Sequence, residues 1–191
     1  MSRTAAEAFD FLGKKSLELK VDKVCDSIFS DGRFIDWTGS SKPNLHHYGR
    51  GGLVIHTAEV AELCLMNNQI LGAGIPEDEL FLAAFFHDVA KMEDYAPVNG
   101  SLADWTITEH RILIHHIQGS MMYWVSLTNK FPQFLHMQAR VIHAILAHHG
   151  RKEWGSPVEP RTKMAHLLHH CDAISARMND ADKNPIIKEH P

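Results

Sequence analysis

The chain has 191 residues, 45% hydrophobic and 22% charged, with a formal net charge of -4 when histidine is neutral. That length supports one domain with its own core, the composition excludes wholesale disorder, and the acidic balance excludes the broad basic surface that grips duplex DNA non-specifically. Cys25, Cys64 and Cys171 stand far apart without CxxC spacing, which argues against a disulfide framework or a Cys-zinc site; with no signal-like or membrane-length apolar run, a cytoplasmic location and no membrane partner are expected.

Residues 4–12 and 16–29 are expected to form two short amphipathic helices, the second with Leu17, Val21, Val24, Cys25 and Ile28 on one face. Residues 33–51 carry Gly39-Ser40-Ser41, Pro43 and Gly49 without periodicity, and so form a loop that brings His46, His47 and Arg50 toward the next element as candidate substrate contacts. Residues 52–71 predict a helix on which His56 shares a stripe with Leu53, Val60 and Leu63 and therefore faces inward. Pro76 opens a further helix to about Met92, with Glu77, Asp78 and Glu79 complementing its dipole.

That helix holds the stretch around which the chain is organised, AAFFHDVAK, where an apolar run ends in His87 and Asp88 with Lys91 one turn later. An ionised Asp among apolar residues is costly unless its charge is compensated. A metal cation would do so, and His with Asp supplies suitable nitrogen and oxygen ligands. Lys91 reaches the same face, where it either holds a substrate phosphate or pairs with Asp88 or Glu93.

Residues 95–108 switch to an alternating pattern around Asn99-Gly100, predicting one β-hairpin. Residues 110–128 read as a helix that turns His116 inward and His115 aside, and residues 134–150 as another that carries His148 and His149 on adjacent stripes up to a Gly150 cap. The loop at 151–160 offers Arg151 and Trp154 to bind a phosphate and stack a base. Residues 161–178 form the last long helix, with Asp172 inward behind Met164 and Leu168, and residues 179–191 a polar tail that frays. The fold class is all-α, a helical bundle with one small hairpin.

The inward polar groups come from five helices: His56, then His87 and Asp88, then His116, then His148 and His149, then Asp172. This order resembles the HD phosphohydrolase superfamily, from about His46 to Met178, which makes 46–178 the HD domain and 1–45 helices and loop packed upon it. The stretches HHYGRGGLVIHT, FFHDVAK, ILAHHGRKEWGSP and LLHHCDAISARM are similar to the HD domain of YhaM-type 3'-5' exoribonucleases. Those enzymes carry an OB-fold before this region, whereas the 45 residues here read as helices and loop. The glutamate that precedes the first His in trinuclear cyclic-dinucleotide phosphodiesterases is replaced by Gly52.

The resemblance implies one divalent metal on His56, His87, Asp88 and Asp172, and a second on His116, His148 and His149, with Asp88 bridging. Such an ion pair, roughly 3.5 to 4 Å apart, activates water for in-line attack on a phosphoester. Asp88 and Lys91 are the candidate catalytic residues, and His46, His47, Arg50, Lys91, Arg151 and Trp154 the candidate substrate contacts. Manganese, iron, cobalt, nickel and zinc all suit this donor set. The favoured function is a phosphodiesterase or 3'-5' exonuclease on short single-stranded nucleic acid or a small nucleotide diester. The alternatives are a nucleotidase or dNTP triphosphohydrolase on free nucleotides, and a non-catalytic nucleotide-binding regulatory module.

Overall fold

The computed structural model describes residues 3–183. Helix α1 (Ala5–Glu18) opens with a capping box in which the Thr4 hydroxyl accepts from the Glu7 amide and the Glu7 carboxylate accepts from the Thr4 amide. It runs straight through Gly13, where a break was expected, because Ala8, Leu12 and Ser16 form one buried i, i+4, i+8 stripe whose packing outweighs the roughly 1 kcal/mol helix penalty of glycine. The break falls instead at Lys20, in left-handed conformation, before α2 (Asp22–Phe29) and the single turn α3 (Arg33–Asp36).

Helix α4 (Gly52–Ile70) packs against α1 and two later helices. Its first residue must be glycine: a Cβ there would lie 1.8 Å from the His47 carbonyl oxygen, which accepts from the Gly39 amide and folds the preceding loop onto the helix start. Helix α5 (Glu77–Phe86) is buried on every side from Glu79 onward, the mark of a central helix. Phe85 meets the rings of Phe29, Phe34 and Phe86, and Phe86 meets Trp124. Buried Glu79 is held by Arg140 through two charged hydrogen bonds of 2.8 and 2.5 Å.

The expected single helix over 76–92 is interrupted. Helix α5 stops at Phe86, tight turns carry residues 87–90, and α6 (Lys91–Asp94) follows as one turn. On a regular helix His87 and Asp88 would diverge by about 100°; the turn sends both into the same cavity. The hairpin forms as predicted from β1 (Tyr95–Val98) and β2 (Ser101–Ile107), antiparallel, with Tyr95 opposite Ile107 and positive φ at Asn99 and Gly100. Trp105 anchors it on Trp37, whose indole N–H donates to the Tyr95 carbonyl.

The helix expected over 110–128 divides into α7 (Glu109–Leu113) and α8 (His116–Lys130), with His115 at φ 72° between them. The cause is buried Asp94, whose Oδ2 accepts from the His116 amide at 3.0 Å and holds a carboxylate at the positive end of a new helix. A 3₁₀ segment (Pro132–Met137) leads into α9 (Gln138–Ala147), which ends at His148 with Gly150 at φ 85°; a 3₁₀ turn (Lys152–Trp154) and α10 (Lys163–Lys183) complete the described chain. The last helix continues past Met178 because the Asn179 carboxamide accepts from the His47 amide at 2.8 Å. The remainder of the expected tail lies outside the described residues. Among these residues no helix is long and apolar enough to cross a membrane.

Candidate metal centre

Helices α4, α8, α9 and α10 and the α5–α6 turn converge on one buried centre. In each of five histidines the Nδ1 atom is committed to a fixed acceptor. His87 donates to the Ala84 carbonyl (2.7 Å), His148 to the Ile145 carbonyl (2.6 Å) and His149 to the Trp154 carbonyl (3.0 Å). His116 donates to Asp94 Oδ2 at 3.0 Å. His56 donates to Ser175 Oγ at 2.9 Å, which must accept because its own hydroxyl donates to Glu59 Oε2 at 2.7 Å. Carbonyls only accept, so the proton sits on Nδ1 of His87, His148 and His149, and the Ser175 hydroxyl places one on Nδ1 of His56; His116 Nδ1 lies between Asp94 Oδ2 and the Arg111 guanidinium at 2.9 Å, and in all five rings Nε2 is the atom turned toward the centre. Metal-binding histidines are oriented in this way.

Asp88 stands between two groups of these nitrogens. Its Oδ2 lies 3.4 Å from His56 Nε2 and 3.3 Å from His87 Nε2, and Asp172 Oδ1 approaches the same pair at 3.0 and 3.8 Å. Its Oδ1 lies 3.4 Å from His116 Nε2 and 3.6 Å from His148 Nε2. Donor atoms of His56, His87 and Asp172, and separately of His116, His148 and His149, lie within 4.8 Å of one another.

The donor set passes a direct test for metal binding. Asp88 Oδ1, His116 Nε2 and His148 Nε2 are buried without a hydrogen-bond partner. Three electron-pair donors aimed at one another repel, and burial denies them water; a cation among them resolves both problems. The residues present therefore fit divalent metal, and Asp88 offers one oxygen to each group.

The charges agree. Burial alone would raise the Asp88 carboxyl, but the Lys91 ammonium and His87 hold it well below the usual carboxylate range. Asp172 is lowered likewise, hydrogen bonding from His56 outweighing burial. Burial also opposes a charged His56, yet with no cation present Asp172 and Asp88 pull it up to about 9, so a metal bound there would take the place of a proton on Nε2. Burial pushes His116 well down and His149 down to about 3, leaving both neutral.

The candidate substrate contacts separate into three sets. Lys91, 6% exposed, lies 2.6 Å from Asp88 Oδ2, so the ion pair anticipated as an alternative is the contact that forms. His46 and His47 stand beside His56, with ring centroids 5.5 and 4.9 Å from it; His47 Nε2 is 3.1 Å from Glu59. Arg50 does not join them. Its side chain is 68% exposed and pairs with Asp36, because the loop that tucks His47 inward turns the residue three places later to solvent. Arg151 covers the Trp154 ring at 5.1 Å, and Trp154 lines a cleft of about 330 Å³ with His148, His149 and Asp172.

Sequence reasoning missed Glu59, Asp94 and Ser175, the acceptors that orient His56 and His116 directly or through a hydroxyl. A signal existed: Glu59 is three residues after His56, Asp94 three after Lys91 and Ser175 three after Asp172, one helical turn from a residue already singled out.

A helical bundle with a buried His and Asp cluster on four helices and the turn after α5 defines a class of metal-binding domain, and the sequence comparisons say which. The HD domain family model matches residues 53–177, and the chain belongs to that family. Among curated proteins it is similar to the 3'-5' exoribonuclease YhaM of Geobacillus sp. strain WCH70, 31% identical over 158 residues covering 79% of this chain and 44% of the relative. The YhaM exoribonuclease of Bacillus subtilis strain 168 is 27% identical over 157 residues, covering 80% and 46%. The chain thus matches less than half the length of these relatives. No solved structure matches it significantly.

Proposed function

We propose that this chain is a metal-dependent phosphodiesterase that removes nucleotides from the 3' end of short single-stranded nucleic acid or opens a small nucleotide diester. One observation carries the reading: Asp88 presents a separate oxygen to each of two ligand groups, with orphaned buried donors facing it. His56, His87, Asp88 and Asp172 would hold one ion, and Asp88, His116, His148 and His149 a second. Bound there, a divalent pair supplies hydroxide near neutral pH and neutralises phosphoryl charge.

The chain's own groups do the rest. Lys91 is charged and buried beside Asp88, so its ammonium is placed to attract a phosphoryl oxygen in a water-poor site. His46, held down to about 2 chiefly by burial with Lys91 next, is neutral at physiological pH and acts as a hydrogen-bonding wall. One water is consumed: its oxygen forms the new bond to phosphorus, the bond to the 3' oxygen breaks, and that oxygen leaves with a proton. The products are a nucleoside 5'-monophosphate and a chain one unit shorter. The similarity to exoribonucleases supports the diester over the monoester.

The test is chromatographic product analysis with manganese-loaded protein on 5'-labelled short RNA and DNA, cyclic dinucleotides, NMPs and dNTPs, with metal content measured in parallel. Stepwise shortening or diester opening, with two ions per chain falling to one in His116→Ala, is expected. Release of phosphate or triphosphate from monomers alone would replace this reading with a nucleotide-pool hydrolase.

A further inference from the structure

Beside the centre lies a cleft of about 330 Å³, near the lower limit of small-ligand pockets. His148, His149 and Asp172 form one end, and Trp154, His169, Ala173, Ala176, Arg177 and Asp180 the rest. The floor is a stripe of α10: Ala173, Ala176, Arg177 and Asp180 follow i, i+3, i+4, i+7 spacing. Its first two members are alanines, so a flat group can lie against the helix.

The walls suit a nucleobase. Trp154 is 54% exposed, and the His169 ring is 6.1 Å away at 30°. His169 is fixed, because its Nδ1 donates to the His148 carbonyl at 2.7 Å and Gly150 leaves no Cβ in the ring's path. Arg177 is exposed on the cleft and has no ion pair or hydrogen bond among the described residues. A cation without a protein partner, beside an aromatic wall and a phosphate-handling centre, fits a nucleotide that extends from that centre.

We propose that this cleft is a one-nucleotide subsite: the base of the terminal nucleotide slots against Trp154 over Ala173 and Ala176, its edge meets His169, and Arg177 takes a phosphate of the strand. This rests on the phosphodiester reading of the adjoining centre, and adds that recognition is of a single base by stacking. Affinity should therefore reach its plateau by the dinucleotide.

The test uses the full chain in chelator, where no strand is cut. Of the other three tryptophans, Trp105 and Trp124 are 6% and 0% exposed and the half-buried Trp37 packs on Trp105 and the hairpin outside the cleft, so the part of the quench that is lost in Trp154→Leu reports on a base stacked at Trp154. Di-, tri- and hexa-adenylate are added to the protein, with ribose 5-phosphate as the base-free control, and binding of fluorescein-labelled trinucleotide is followed by anisotropy. The expected result is quenching by all three oligomers with similar affinity and none by the control. Trp154→Leu should abolish the quench and weaken binding roughly ten-fold. Arg177→Gln should weaken it several-fold and reduce the slope against log salt by about one contact.

Oligomer binding with no emission change and unaltered affinity in both variants would overturn the subsite. So would affinity that climbs steadily from two to six nucleotides. Hydrolysis of bis(p-nitrophenyl) phosphate by the manganese-loaded protein is scored separately. If it proceeds while the binding results fail, the subsite alone is wrong; if binding holds but no diester is cut, the phosphodiester reading is wrong and the nucleotide cleft stands.

Discussion

At the scale of single residues, the centre depends on groups that touch no ligand. Asp94 is fully buried and accepts from the ring and the amide of His116, as well as from His110 and Arg111. Asp94→Asn replaces an acceptor-only group by one that also donates, loosening the ring whose Nε2 faces Asp88. The expected result is a 10- to 100-fold loss of metal affinity, measured by competition with a chelating dye while the circular dichroism spectrum stays native. Equal affinity in the variant would mean that ring orientation is set elsewhere. Gly150 is a second case. At φ 85°, with a new Cβ only 2.4 to 2.8 Å from three atoms of the His169 ring, Gly150→Ala incurs both backbone strain and a clash. We expect a loss of about 2 kcal/mol or more in urea unfolding.

At the scale of elements, short pieces are pinned where they would not hold alone. Arg33 binds Asp31 and the α6 residue Glu93, and Tyr123 on α8 donates to Glu93 at 2.7 Å, so one carboxylate ties three helices. Burial first, then the hydrogen bond to Glu93, pushes the Tyr123 phenol up to about 12. A phenol whose folded pKa exceeds the unfolded value of about 10 favours folding below pH 10 and loses that contribution as pH rises through 12. Alkaline titration followed at 295 nm should show one tyrosine ionising near pH 12. Tyr123→Phe should remove it and lower stability by about 1 kcal/mol at neutral pH.

At the scale of the whole molecule, the centre is where a central apolar helix meets its neighbours. Helix α5 supplies the buried mass and α4, α8, α9 and α10 surround the turn that follows it. A cation bound there joins four or more elements in the native state and has no such site in the unfolded chain, so binding and folding are linked. Manganese at about 100 times its dissociation constant should add about 2.7 kcal/mol, seen as a rise in Tm that a chelator reverses. In Asp88→Asn that rise should vanish. A full rise in the variant would place the ions away from Asp88.

The amino-acid pattern by itself determined the helical class, the Asn99-Gly100 hairpin and the inward residues His56, His87, Asp88, His116, His148, His149 and Asp172, because hydrophobic periodicity and residue chemistry are local properties. The tertiary structure decided where helices break. Asp94, a residue of α6, starts α8 at His116, and Asn179 prolongs α10 by meeting His47; neither partner lies nearby in the chain. It also turned Arg50 outward, since its direction follows from the loop that Gly39, His47 and Gly52 fold together. Which Asp88 oxygen faces which histidines, and that Arg177 overlooks the same cleft as Trp154, were decided only there. These are relations between side chains dozens of residues apart, and packing alone brings them within reach.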